Sequence, residues 1–275
     1  MDNPKKVIFL DIDGVLQPFT QYRFEHIKEI PSLCQKLEAE CHGKYPYSKW
    51  LGVPGLSLYD IAAVYFDWSH EAVILLKDVL TQTGARIVLS SSWRECRTHL
   101  AMEALFAIHG LDGYLDDVTM SKMHLTSSPI IRNQQEEDAD YQKAKQWGDL
   151  MNFLHDVLAS EHPLKNKWGH YISVRTVEIL EYLDRHPEIV SYVAVDDMYL
   201  EDGMEGHFVN TSYVLKDEHA QNMKKCLSDT TGPYHLPARC HIPELEEMRK
   251  CCVPISEARW RLSPDKVSPP KRSLK

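Results

Sequence analysis

Three apolar runs in this chain each end in a cluster of small polar or acidic residues, and no other feature limits the possible folds as tightly. Val7-Ile8-Phe9-Leu10 runs into Asp11-Ile12-Asp13-Gly14, Arg86-Ile87-Val88-Leu89 into Ser90-Ser91-Ser92, and Tyr192-Val193-Ala194-Val195 into Asp196-Asp197. A short run rich in Val and Ile, without polar alternation, reads as a strand buried on both faces, the habit of a parallel sheet. Helical patterns lie between the runs. Ser69 is placed to cap a helix over 71–80, with Val73, Leu76 and Leu80 on one face and Gly84 closing it. Helical spacing resumes over 97–109 before Gly110 and over 177–185 before Pro187, and His207-Phe208-Val209 reads as a further short strand. The alternation predicts an α/β fold, a Rossmann-like parallel sheet with helices on both faces.

Two stretches interrupt that rhythm and are read as inserted, cap-like segments, 17–67 and 121–170. The first has a possible helix over 30–41 and a loop at Gly52, Pro54 and Gly55. In the second, the acidic run to Asp138 precedes Tyr141, Ala144, Trp147, Met151, Leu154 and Leu158 at helical spacing. One amphipathic helix with an acidic N-terminus is expected there. An α/β domain over 1–255 is then followed by a basic, flexible tail over 256–275. That tail holds six Lys and Arg against Glu257 and Asp265, a charge of +4 in a chain of −9, so residues 1–255 carry −13. An acidic body argues against broad binding to duplex nucleic acid, which depends on many Lys and Arg contacts to phosphates. With 43% hydrophobic and 26% charged residues the chain is not of a disordered or collagenous class. No run approaches the ~18 consecutive apolar residues of a membrane span. Asp11 stops the first apolar run too early for a secretory signal, so a cytoplasmic location with the seven cysteines reduced is expected.

In an open α/β sheet the ligand site lies beyond the carboxyl ends of the strands. That edge would gather Asp11, Asp13, Asp196 and Asp197, four carboxylates that repel one another unless a cation neutralises them. Hard oxygen donors of this kind suit Mg²⁺. The run Asp11-Ile12-Asp13-Gly14-Val15 behind its apolar strand, with Ser90 and then Asp196-Asp197 ending later strands, resembles the haloacid dehalogenase-like (HAD) phosphatase superfamily. The longer signatures Thr83-Gly84-Ala85-Arg86-Ile87-Val88-Leu89-Ser90-Ser91-Ser92-Trp93-Arg94 and Tyr192-Val193-Ala194-Val195-Asp196-Asp197, with Arg175 and Glu178 between them, resemble the HAD domains associated with Swiss Army Knife RNA repair proteins.

The resemblance implies a role for each matching position. Asp11 would be the nucleophile and Asp13 the general acid/base. Ser90 and Ser91 would bind phosphoryl oxygens, and Arg175 would stand where the superfamily usually has Lys, with Lys165 and Lys167 as alternatives from the adjoining insertion. Asp11, Asp13, Asp196 and Asp197 would hold Mg²⁺. The implied function is a Mg²⁺-dependent phosphatase that hydrolyses a phosphomonoester through an aspartyl-phosphate on Asp11. Its substrate would be a phosphorylated RNA end or a small phosphometabolite. A non-catalytic or regulatory HAD-fold binding protein and a phosphotransferase are the alternatives.

Other residues have plainer readings. Ser91 and Ser92 are turn or cap residues rather than serine nucleophiles, since no Gly-x-Ser-x-Gly elbow surrounds them. Trp93 and Arg94 are expected to pack a helix and form a surface salt bridge rather than guide substrate. The seven aromatics between Tyr45 and Trp68 read as the core of a cap, with base stacking as the functional alternative. Cys226, His235, Cys240, His241, Cys251 and Cys252 match no standard zinc spacing. Lys271-Arg272 reads as a solvated end.

Overall fold

The computed structural model describes residues 5–19, 23–51, 56–95, 97–121, 125–126, 134–161, 172–251, 253–254 and 260–261. The first apolar run forms β1 (Lys5–Leu10), in which Val7, Ile8, Phe9 and Leu10 have no exposed surface. The first insertion is helical: α1 (Arg23–His26), α2 (Ile30–Glu40), α3 (Tyr47–Trp50) and α4 (Leu58–Ala62), the last continuing as a π-helical turn to Asp67. Next comes α5 (His70–Thr83). Ser69 caps it by accepting the Ala72 N–H, and Gly84 ends it in the left-handed region at φ +69°. There follow β2 (Arg86–Leu89), α6 (His99–Ala107), β3 (Leu115–Val118), β4 (Leu125–Thr126), α7 (Gln134–Glu161), α8 (Val174–Arg185), β5 (Ile189–Asp196), β6 (Phe208–Asn210), α9 (Asp217–Ser228), α10 (Pro243–Cys251) and β7 (Val253–Pro254).

The main sheet has the order β3-β2-β1-β5-β6, and each of its pairings is parallel. β1 is central, and its alternate side chains enter two different cores, because successive residues of a strand point to opposite faces. Ile8 and Leu10 join α2, α5, α6, α9 and the insertion aromatics Tyr45, Tyr47 and Trp50. Val7 and Phe9 join Trp147, Met151, Leu154 and Leu158 of α7, with α8 and α10. Both insertions therefore contribute to the layers that cover the sheet. Of the insertion aromatics, Tyr45, Tyr47, Trp50 and Trp68 are buried, which favours the packed-core reading, while Tyr59 and Tyr65 keep exposed surface. Along α7, Trp147, Met151, Leu154 and Leu158 of the stripe are core, Ala144 is half-buried and Tyr141 is exposed.

Three features depart from the sequence reading. The helix expected from residue 97 begins at His99, because Thr98 turns its hydroxyl to the Ala101 N–H and leaves Arg97 outside. Strand β3 carries no apolar run: its Asp116 pairs with Lys5 at 2.8 Å and Arg86 at 2.7 Å, and its Asp117 accepts the Tyr182 hydroxyl at 3.0 Å. Partners distant in sequence make two acids tolerable in an edge strand. Third, α9 and α10 lie beyond the last expected element; α9 covers β5 with Ala220, Met223 and Leu227 on one face. Among the described residues no helix is long and apolar enough to cross a membrane.

Candidate active site

Register brings the polar strand ends together. Leu10 of β1 lies opposite Leu89 of β2 and Val195 of β5. The next residues, Asp11, Ser90 and Asp196, therefore leave the sheet side by side on neighbouring strands about 4.8 Å apart. Backbone bonds hold this alignment: Asp11 N–H donates to Val195 O at 3.0 Å, and Ser90 N–H to Leu10 O at 3.0 Å.

Asp11, Asp196 and Asp197 each offer an oxygen, and the three lie within 4.8 Å of one another. Arg175, in the first turn of α8 behind the Ser173 cap, places Nη1 2.9 Å from both Asp11 Oδ1 and Asp196 Oδ2. Burial works against the charge on Arg175, but Asp196 and Asp11 hold its guanidinium above its ordinary range. Burial, opposed by Arg175 and reinforced by Asp11, pushes Asp196 up to about 7. Asp197 is raised by burial and then by the Asp11 charge. One guanidinium against three carboxylates leaves the cluster electron-rich, which is the electrostatic condition for a hard divalent cation. The donor set of three closely spaced carboxylates fits Mg²⁺. Lys165 and Lys167 lie outside the described residues; Arg175 is the cation that the described residues bring to Asp11.

Asp13 stands apart from that group. Its Oδ1 accepts from Gln17 Nε2 at 3.0 Å and its Oδ2 from Trp93 Nε1 at 3.1 Å. Asp13 is not among the three carboxylates whose oxygens lie within 4.8 Å of one another. Burial raises the Asp13 carboxyl, and the Trp93 hydrogen bond only partly offsets this. The intervening turn depends on Gly14, which sits at φ +72° and whose missing Cβ would lie 2.5 Å from Asp197 Cβ. Thr211 then fastens the turn, donating its hydroxyl to Gly14 O at 2.6 Å.

The Ser90 hydroxyl is buried at the same edge with no hydrogen-bond partner among the described residues. A buried polar atom without a partner is costly, and one at the mouth of a charged site is a ready contact for a ligand oxygen. Ser91 is also buried, but its Oγ accepts the Trp93 N–H at 3.4 Å, which is a turn contact. Behind both serines lies Arg94, fully buried rather than in the surface salt bridge expected for it. Its Nε donates to Thr119 O at 3.0 Å, and Nη2 meets Glu178 Oε2 at 2.6 Å. Nη1 donates to Ser91 O at 2.6 Å and to Ser90 O. One guanidinium thus ties the ends of β2 and β3 to α8, one turn beyond Arg175. The sequence reading gives Gln17 and Thr211 no role, and it reads Trp93 and Arg94 as helix packing with a surface salt bridge, which misses their contacts to Asp13 and Glu178.

Among the described residues the aspartate group is the one cluster suited to a metal, and Cys226, His235, Cys240 and His241 form none. Cys252 and the side chain of Cys251 lie outside the described residues, as do 262–275 with Lys271-Arg272. The family described as the HAD domain in Swiss Army Knife RNA repair proteins matches residues 7–220, which include every residue of the site above. No curated protein and no solved structure matches the chain.

Proposed function

The chain belongs to the HAD domains of Swiss Army Knife RNA repair proteins, within a superfamily of hydrolases and phosphatases, and from that membership we propose that it is a Mg²⁺-dependent phosphomonoesterase acting through Asp11. The observation that carries this reading is the meeting of Asp11, Asp196 and Asp197 with Arg175 at the carboxyl edge of the sheet. Asp11, Asp196 and Asp197 would hold the ion; when bound, it supplies charge neutralisation to the phosphoryl oxygens and keeps Asp11 ionised and aimed.

The residues of the chain divide the work. Arg175 neutralises and orients the phosphoryl group with its planar fork, and the free Ser90 hydroxyl donates to one of its oxygens. An Asp11 carboxylate oxygen attacks phosphorus in line, the bond to the leaving oxygen breaks, and Asp13 gives that oxygen a proton. The acyl phosphate on Asp11 is then attacked by water, whose proton returns to Asp13. Inorganic phosphate leaves, and both carboxyl groups regain their starting states. The raised Asp13 carboxyl suits the first half of this cycle, since it must hold a proton to give one. The family's association with RNA repair supports a phosphorylated RNA end as substrate, and a small phosphometabolite satisfies the same chemistry.

The test is phosphate release from an aryl phosphate, a panel of phosphometabolites and 5′- and 3′-phosphorylated RNA ends, with Mg²⁺ or EDTA. Wild-type protein should release phosphate only with Mg²⁺, and Asp11→Asn should abolish release while remaining folded. Release that survives Asp11→Asn refutes the mechanism; phosphate transferred to a non-water acceptor, with none freed, moves the assignment to a phosphotransferase.

A further inference from the structure

Trp93 lies in the short helical turn Ser92–Glu95 that follows β2. Its indole is buried, packed against Trp68 with ring centroids 6.1 Å apart. The guanidinium of Arg97 covers the ring at 4.1 Å from its centroid, and Arg97 Nη1 donates to Trp93 O at 3.2 Å. Arg97 in turn forms an ion pair with Asp60. Asp60 belongs to the capping box of α4, in which Ser57 and Asp60 satisfy each other's backbone N–H groups. A continuous set of contacts therefore runs from the insertion through Asp60, Arg97 and Trp93 to the Asp13 carboxyl, which Trp93 Nε1 reaches at 3.1 Å.

We propose that Trp93 is a positioning residue for Asp13 and that the first insertion, through Asp60 and Arg97, holds Trp93 in place for it. This rests on the general acid/base role given to Asp13 above. An indole N–H is a donor only, so it neither takes the proton that Asp13 carries nor competes to deliver one. With Trp93 on one oxygen and Gln17 on the other, rotation of the carboxyl breaks a hydrogen bond in either direction, and the remaining lone pairs are the ones left to face the leaving oxygen. Deleting the N–H would leave the carboxyl free to swing, and a small error in aim is expensive in proton transfer.

Trp93→Phe keeps an aromatic ring for Trp68 and Arg97 and removes the donor together with part of the indole. The readout is kcat/KM, which covers the steps up to transfer onto Asp11, for two phosphate monoesters: 4-nitrophenyl phosphate, whose leaving group departs with little need of a proton, and a simple alkyl phosphate, which needs one. Assayed well below its unfolding temperature, which loss of part of the buried indole lowers, Trp93→Phe should reduce kcat/KM for the alkyl ester tenfold or more and for the aryl ester less than threefold. Arg97→Met should show the same split, smaller in size. Independently of turnover, the indole N–H resonance of Trp93 should move upfield in Asp13→Asn. An equal loss on both esters, no loss on either, or an unmoved resonance overturns the role of Trp93 and leaves the phosphatase reading standing. A wild-type protein that hydrolyses neither ester refutes that reading and the positioning role with it.

Discussion

Gly14→Ala tests whether the turn after β1 shapes the candidate metal site. Two separable costs follow from the structure. At φ +72° an L-residue loses about 1–2 kcal/mol to the clash between Cβ and its own backbone. The new Cβ would also lie 2.5 Å from Asp197 Cβ and 2.6 Å from Asp197 Cγ and Oδ2, where ordinary contact begins at 3.4 Å. The nearest atom is the root of the Asp197 side chain, so rotation cannot relieve the overlap and the backbone of one segment must give. Overpacking of this kind costs about 1–3 kcal/mol. Gly43→Ala is the internal control, because Gly43 has φ +76° with nothing within 4 Å of its virtual Cβ and so incurs the backbone cost alone. Urea unfolding at constant slope should place Gly14→Ala about 1–3 kcal/mol below Gly43→Ala. Displacement of the Asp197 carboxylate should also blunt any Mg²⁺-dependent rise in unfolding temperature in Gly14→Ala and spare it in Gly43→Ala. Equal stabilities for the two variants, or a full Mg²⁺ response in Gly14→Ala, would refute the argument that Gly14 is required for the sake of Asp197.

Adding Mg²⁺ at a hundredfold excess over its Kd should stabilise the wild type by about 2.7 kcal/mol. That corresponds to a rise of roughly 5–10 °C, which EDTA reverses and Asp197→Asn lacks; a flat melting curve counts against the site. Arg94→Met should cost about 3–5 kcal/mol by leaving Glu178 buried without its closest partner, and adding Glu178→Leu should restore part of that in a double-mutant cycle; additive losses would contradict a coupled pair. His109 Nε2 donates to Val64 O at 2.8 Å and the ring stacks on Trp68, and burial holds its imidazole below the ordinary range. Its folded pKa is thus the lower one. The stability it contributes is complete above the unfolded value of about 6.5 and is lost as pH falls toward the folded value, at no more than about 1.4 kcal/mol per pH unit. Between pH 7 and 5 the wild type should lose more stability than His109→Gln, and parallel losses would remove His109 from the account.

The sequence by itself determined the sheet centre and the residues at its carboxyl edge. Val7 to Leu10 can be satisfied only by burial on both faces, and the acids that end such a strand have nowhere to go but the edge. Ser69 and Gly84 are equally local, because a cap is decided by the hydrogen bonds of a single turn. Tertiary structure decided which of those polar residues meet. The Asp13 carboxyl gets its partner from Trp93, 80 residues away, which no local pattern announces. Arg94 looks like a surface cation until Glu178, 84 residues on, allows it to be buried. Strand β3 is invisible without Lys5, Arg86 and Tyr182 to satisfy its two acids. The physical reason is common to all three. Burial of an apolar run is written in its own spacing, whereas the burial of a charge depends on a partner that only the folded chain brings within reach.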